Sequence, residues 1–292
     1  MATVLLPPRQ QEAYKVEARI QYPTIVPLPG PTRVEARAAF PIKIKDGCFQ
    51  MHFDRYVKDA ELFGTVSQIE QDLSKLGVVQ LCGVFHPNNS EAARKISQKQ
   101  FVVPGVHYFA QLPFDKKLFP TQASVFSFAY ITDEDFDFSS AKLKDTVETV
   151  IGGGFSRLQI PIGHKGAFTQ DFVNWIGSLD QRGVKVYLVH GVQAITSRLR
   201  PDATLGREGL ADYKNVFFGT AIANNSIFDV PDRDLMNIMA DPQLAERIVF
   251  ESSFDFEKRG RLDIYRRIYE RVQQSIGDDK RVFCKNLERF LA

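Results

Sequence analysis

Four histidines in this chain stand at or just beyond apolar runs, and an imidazole in that position can move a proton or ligate a metal. They are His52 in "CFQMHFDRY", His86 after "VVQLCGVF", His107 in "QFVVPGVHYF" and His190 at the end of "VKVYLVH". Other polar or small groups end similar runs: Gln50 two residues before His52, the glycines 152–154 in "VIGGGF", and Glu251 to Ser253 in "RIVFESSF". One strand-end histidine is usually a hydrogen-bonded structural group. Four that converge by topology make a candidate site.

Other chemistries have a weaker footing. Cys48 lies close to Gln50, but a nucleophilic thiol needs a neighbouring base or cation, and none is evident, so a buried strand cysteine is expected. "IGGGF" lacks the Lys-Ser/Thr of a phosphate loop; its glycines read as permitting close backbone approach. The acidic "TDEDFDF" lacks the spacing and glycine of a calcium loop and reads as solvated. Arg266, Arg267 and Arg271 in "DIYRRIYERVQQ" read as a solvated helix face.

The elements that must position these groups alternate. Strand-like "IKIKDGCFQM" (42–51) is followed by helical "DAELFGTVSQIEQDLSKLG" (59–77), strand 78–85, helical "NSEAARKISQK" (89–99) and strand 100–109. Then come helical "AKLKDTVET", "VIGGGF" as a strand, helical "TQDFVNWIGSLDQRG" and strand 184–190. "NVFFGTAIA" (215–223), helical "DRDLMNIMADPQLAE", "RIVFESSF" (247–254) and two closing helices complete the chain. Strands alternating with helices imply a parallel sheet covered by helices. This many units favour a TIM-like (β/α) barrel, with an open doubly wound sheet as the alternative. No G-x-G-x-x-G follows the first strand, against a dinucleotide fold. In such barrels chemistry sits at the carboxyl ends of the strands.

Residues 1–41 differ: they hold seven of the 15 prolines, which lock φ and remove donors. An extended arm is expected there, ahead of a barrel domain over residues 42–292. The 292 residues are 44% hydrophobic and 25% charged with a net charge of +2, which is globular composition without the basic footprint of a dedicated nucleic-acid binder. Three scattered cysteines suggest a reducing compartment. No apolar run is long enough to span a membrane, and the start lacks the pattern of a secretory signal. A soluble cytoplasmic protein is expected, with the nucleus as the other option.

The ordered set of motifs resembles the TatD-like metal-dependent hydrolases of the amidohydrolase barrel superfamily. "MHFDRY" is similar to that family's H-x-H followed by apolar-Asp-Arg. "FVVPGVHYF" is similar to its third-strand segment, and "TVIGGGFSR" stands where the family has Gly-Glu-x-Gly-apolar-Asp. "QDFVNWIGSLDQRGVKVYLVHG" resembles its Gln-led helix and fifth strand, "LAERIVFESSFDF" its last strand, and "VFCKNLERFLA" its closing helix. The resemblance implies a two-metal site that activates water for attack at phosphorus. Carried over, the H-x-H pair becomes Gln50 and His52, the bridging Glu falls on Gly153, the fifth-strand His is His190, and the final Asp falls on Ser253. Glu251 is retained but is not an expected ligand. The sixth-strand His has no counterpart, since residues 191–214 are too few for helix, strand and helix. "ASVFSFAYI" (122–130) reads as an extra strand, leaving the strand count open.

Losing the bridging carboxylate would leave two cations close together with little anionic compensation. The expectation is therefore a degenerate barrel, a pseudoenzyme acting through ligand or protein binding. Its vestigial pocket would be lined by Gln50, His52, His107, Gly153, His190, Glu251 and Ser253, and no cofactor is expected. The alternative is an active phosphodiesterase-like or deoxyribonuclease-like hydrolase with one divalent ion (zinc, manganese or magnesium) on His52, His190 and Asp255. Nucleic acid is a partner only under that alternative, and no membrane is expected under either.

Overall fold

The computed structural model describes residues 39–49, 59–85, 101–107, 125–127, 141–161, 169–195, 209–221, 232–252 and 262–292. Within them, eight strands lie in chain order in one sheet, every neighbouring pair parallel. They are β1 Ile44–Phe49, β2 Val78–Phe85, β3 Val102–His107, β4 Val125–Ser127, β5 Arg157–Pro161, β6 Lys185–Val189, β7 Val216–Gly219 and β8 Ile248–Val249. The amide of Gly47 on β1 donates to the carbonyl of Phe250, just past β8, at 2.8 Å. That bond joins the two outer strands, so the sheet is a closed barrel and the open-sheet alternative falls.

Helices α1 Asp59–Ser74, α2 Ala141–Gly152, α3 Gln170–Gln181, α4 Val192–Ile195, α5 Asp232–Met239, α6 Pro242–Ala245, α7 Leu262–Ile276 and α8 Asn286–Leu291 complete the described elements. Strand alternation sorts the side chains into two cores. Cys82, Val125, Tyr187, Val189, Phe217 and Val249 form the barrel interior with Leu287 and Phe290 of α8. Leu81, Val102, Leu158, Ile160, Val186, Leu188, Val216 and Phe218, one residue out of step, pack with the helices. Helix α3 shows the logic: Thr169 accepts from the amide of Phe172 as N-cap, and Phe172, Val173, Ile176 and Leu179 form its buried face.

Helix α8 plugs the barrel at the amino ends of the strands. Phe290 packs its ring 5.6 Å from Tyr187 and 5.5 Å from Phe217. Around it, Lys45 pairs with Glu288 at 3.0 Å, Lys185 donates to the carbonyl of Arg289 at 2.7 Å, and Arg157 to that of Ala292 at 2.8 Å. Basic side chains on terminal helix carbonyls are the favourable arrangement there.

Two sequence expectations change. "VIGGGF" is not a strand: Val147 and Val150 are buried along α2, whose last turn runs into Gly153, with the Gly153 amide on the Thr149 carbonyl. Gly154 then turns the chain at φ 94°, a conformation that suits glycine. The strand follows instead at Arg157–Pro161. The expected helix over "DRDLMNIMADPQLAE" is two helices, because Asp241 accepts from the amides of Gln243 and Leu244 and starts α6 afresh, with Pro242 in its first turn. The extra strand expected within 122–130 is present as β4 and brings the count to eight. His190 therefore follows the sixth of the eight described strands, and β6 pairs directly with β7.

The helix expected over 89–99 lies outside the described residues, as do residues 1–38 of the expected arm. Phe40 stacks on Tyr269 with ring centroids 3.9 Å apart and donates its amide to the carbonyl of Leu76. Among the described residues, no helix is long and apolar enough to cross a membrane.

Candidate functional site

The carboxyl end of β8 delivers Glu251 toward the barrel interior, where it is wholly buried. Its Oε1 lies 2.9 Å from Nδ1 of His190. Its Oε2 accepts from the phenol of Tyr187 at 2.9 Å and from the backbone amide of His190 at 3.0 Å. The amide of Glu251 donates to Oγ1 of Thr220, just past β7, at 3.0 Å. Both carboxylate oxygens thus face donors of this chain, as a buried acid requires.

Space for this cluster comes from two glycines. A Cβ on Gly219 would overlap Glu251 Oε2, and one on Gly47 would lie 2.6 Å from the Tyr187 hydroxyl. Glycine at these strand positions is what lets a tyrosine and a glutamate share the interior. His190 has φ 59°, making it the sole non-glycine residue at positive φ among the described residues. Such strain persists where the surroundings fix it and points to function. The hydrogen bond its amide donates to Glu251 Oε2 and the tight turn into Gly191 hold it there.

A carboxylate on Nδ1–H orients the imidazole and turns its Nε2 away from Glu251. The side chain of His190 keeps 11% of its surface exposed and that of Glu251 none, so the imidazole is the outer member of the pair. Chemically, the arrangement can present a hydrogen-bond acceptor, a general base or a single metal-ligating nitrogen.

Below the pair, Gln159 on β5 lies in register with Tyr187. Its Nε2 donates to the carbonyl of Gly47 at 2.8 Å, while its buried Oε1 has no partner among the described residues. Behind the barrel wall, Asp46 of β1 accepts from the Ser252 amide at 3.0 Å, from the Ser252 hydroxyl, and from the Tyr265 phenol of α7 at 3.1 Å. Burial pushes the Asp46 carboxyl up to about 7, with the neighbouring Glu251 charge adding to the rise and the Ser252 and Tyr265 hydrogen bonds opposing it. Burial and the Asp46 charge push the Tyr265 phenol well above its ordinary value. Burial likewise raises the interior Cys82 thiol, which is the opposite of nucleophile activation.

Of the residues singled out in the sequence, the structure joins His190 and Glu251. His107 ends β3 at the same end of the barrel. Gly153 does not belong with them: it stands in the turn before β5, at the amino end, because "VIGGGF" spans the end of a helix. Gln50, His52, His86, Ser253 and Asp255 lie outside the described residues. In sequence, all five histidines, His164 included, stand within three residues of the last residue of a strand. Sequence reasoning missed Tyr187, Gln159, Asp46, Gly219 and Thr220. The signal for Tyr187 was weak, a hydroxyl-bearing ring in an otherwise apolar strand, and nothing in the sequence marked Asp46.

Among the described residues, no group of three His, Cys, Asp or Glu side chains could hold a metal ion. Glu251 is committed on both oxygens to protein donors, so it fits an orienting carboxylate and not one that bridges two cations. The described residues do not fit a two-metal centre.

No family model matches this chain, and no curated protein matches its sequence. Solved structures do match. Over 86% of this chain and 98% of the other, it superposes with a TM-score of 0.57 on an amidohydrolase 2 from Bifidobacterium longum subsp. infantis, at 12% identity. A probable 2-pyrone-4,6-dicarboxylic acid hydrolase from Acinetobacter baumannii, solved with citric acid bound, matches at 0.55 and 10% identity, over 86% and 99% of the two chains. The likeness covers nearly the whole of each neighbour, and at these identities it establishes a shared barrel fold with amidohydrolase-type structures.

Proposed function

We propose that this protein is a binding barrel built on the hydrolase-type fold, which has given up two-metal chemistry and takes a small polar ligand against His190. The observation that carries this reading is the use made of Glu251. Its oxygens accept from His190 Nδ1–H, His190 N–H and Tyr187 O–H, so the acid at the end of β8 serves an imidazole. The neutral Gln159 on β5, whose Oε1 has no partner among the described residues, adds a hydrogen-bonding floor where a carboxylate would be needed to help hold a cation. Under this reading the TatD-like features mark descent, and the proline-rich residues 1–41 offer a second, extended contact for a protein partner.

A second reading, an active hydrolase with one divalent ion, is favoured by one feature. A carboxylate on the far nitrogen of a histidine is also how metal-ligating histidines are oriented. His52 and Asp255 would have to complete the set, and a phosphodiester, including nucleic acid, would be the substrate class suggested by the TatD-like resemblance. Elemental analysis of the purified, dialysed full chain separates the two. The binding-barrel reading expects no stoichiometric zinc, manganese or magnesium and no hydrolysis of an activated phosphodiester with added divalent ions. A full equivalent of metal that disappears in His190→Ala, with hydrolysis lost alongside it, would overturn it.

A further inference from the structure

Residues 251 and 252 straddle the barrel wall. Strand alternation turns Glu251 inward, onto His190 and Tyr187, and turns Ser252 outward, onto Asp46. The seam they occupy is thin. Strand β8 has two residues, and the described backbone bond across it to β1 is the Gly47 amide on the Phe250 carbonyl. Immediately beyond that bond, Asp46 grips Ser252 by both its amide and its hydroxyl, and Tyr265 anchors the same carboxylate from α7. The inner acid and the outer acid are therefore joined through one peptide link, so the position of Glu251 depends on how Asp46 holds its neighbour.

We propose that Asp46 is a positioning residue for the His190–Glu251 pair, and that its proton state, transmitted through Ser252, sets how firmly the pair is held. The inference rests on reading that pair as the functional centre. Ionised, Asp46 only accepts: the Ser252 amide on Oδ1, the Ser252 and Tyr265 hydroxyls on Oδ2. Protonated, it loses the charge that assists each of these bonds, and the bond from the Ser252 amide weakens with the rest. Among the described residues, the titratable groups facing Asp46 include Glu251 across the wall, Tyr265 on α7 and Cys82 on β2, with Lys45 on its own strand acting on Cys82. Burial places the Asp46 ionisation near neutral pH, where both states are populated. A seam that needed only fixed glue would be served as well by a neutral amide; a buried acid at this spot adds a response to protons.

The test follows the downfield proton resonance of the His190 Nδ1–H···Oε1 hydrogen bond in the histidine-labelled full chain, across about pH 5 to 8. Its loss in His190→Gln assigns it. The wild-type resonance is expected to shift in a step centred near 7. Asp46→Asn is expected to keep the resonance and lose the step, and Asp46→Glu to restore a pH-dependent step. Should Asp46→Asn fail to fold, Ser252→Ala serves: Asp46 still titrates, as its carboxyl carbon reports, but the step at His190 is lost. A step that survives Asp46→Asn, or survives Ser252→Ala through charge alone, would overturn the proposal, as would a wild-type resonance that does not respond. Stoichiometric metal in the chain would sink the binding-barrel reading and leave this coupling standing, so the two failures are distinguishable.

Discussion

The two ends of this barrel are made from the same strands and solve opposite problems. At the amino end, Leu287 and Phe290 fill the interior, and Lys45, Lys185 and Arg157 reach out to helix carbonyls or an exposed glutamate. The charge buried there, Arg247 just before β8, is answered by the carbonyls of Ala211, Tyr213 and Val216. At the carboxyl end, two acids are wholly buried, a histidine sits at positive φ, and two glycines leave no room for a methyl group. Buried acids and the strained histidine gather at the carboxyl end, which is where barrel folds place their chemistry. The contrast shows that one barrel can fill one end with packing and keep its buried acids, paired with donors, at the other.

Substitutions at the two ends should separate stability from site order. The largest effect is expected for Gly219→Ala, where the added methyl overlaps Glu251 Oε2. Displacing a buried carboxylate from its donors costs about 3–5 kcal/mol, and urea unfolding should show this together with loss of the His190 Nδ1–H resonance. Phe290→Ala, which empties the plug, should cost a similar amount, about 3–5 kcal/mol. In that variant the resonance should remain, and if it vanished the two ends would not be independent.

A pH series gives the next largest effect. The Asp46 carboxyl ionises at about 7 in the folded chain, against an ordinary value of 3.8. Between those values the native state holds a proton that the unfolded state has released, so stability falls as pH rises through the window and levels off above it. A gap of that size corresponds to roughly 4 kcal/mol as an upper limit. Asp46→Asn should lack this component, so its stability relative to wild type should climb from pH 4 to 7; a constant difference would contradict the assigned burial. The smallest effect belongs to the amino end: Lys45→Ala removes a pair whose glutamate is 51% exposed and should change stability by less than about 1 kcal/mol.

Periodicity made most of the barrel legible. Apolar runs such as "VVQLCGVF" and "VKVYLVH" became β2 and β6, and the amphipathic segments became α1, α3 and α7. Two strands were hard to see for physical reasons. Strand β5 begins with arginine, ends with proline and carries glutamine at its centre, while the nearby "VIGGGF" offered a more apolar decoy that is really a helix terminus. Strand β4 is three residues long, too short to show a period. In the site, His190 and Glu251 were visible as strand-end polar residues, but their pairing was not, because 61 residues separate them and it takes β6 and β8 flanking β7, with glycine at 219 between, to bring them within reach. Asp46 hid beside Lys45 in "IKIKDG", where an acid next to a lysine reads as a solvent-facing strand residue. A one-residue register shift in β1 between Asp46 and Phe49 also escapes any sequence period, since bulges reset the alternation that such periods assume.

Whether Glu251 serves the imidazole or a cation is decided most directly by adding excess zinc to the full chain while watching the His190 Nδ1–H···Oε1 proton. If the acid belongs to His190, the resonance persists unchanged in hydrogen-bonded position as zinc is raised. Its disappearance, with zinc retained after dialysis and released by Glu251→Ala, would mean that the carboxylate is a metal ligand and that the binding-barrel reading is wrong.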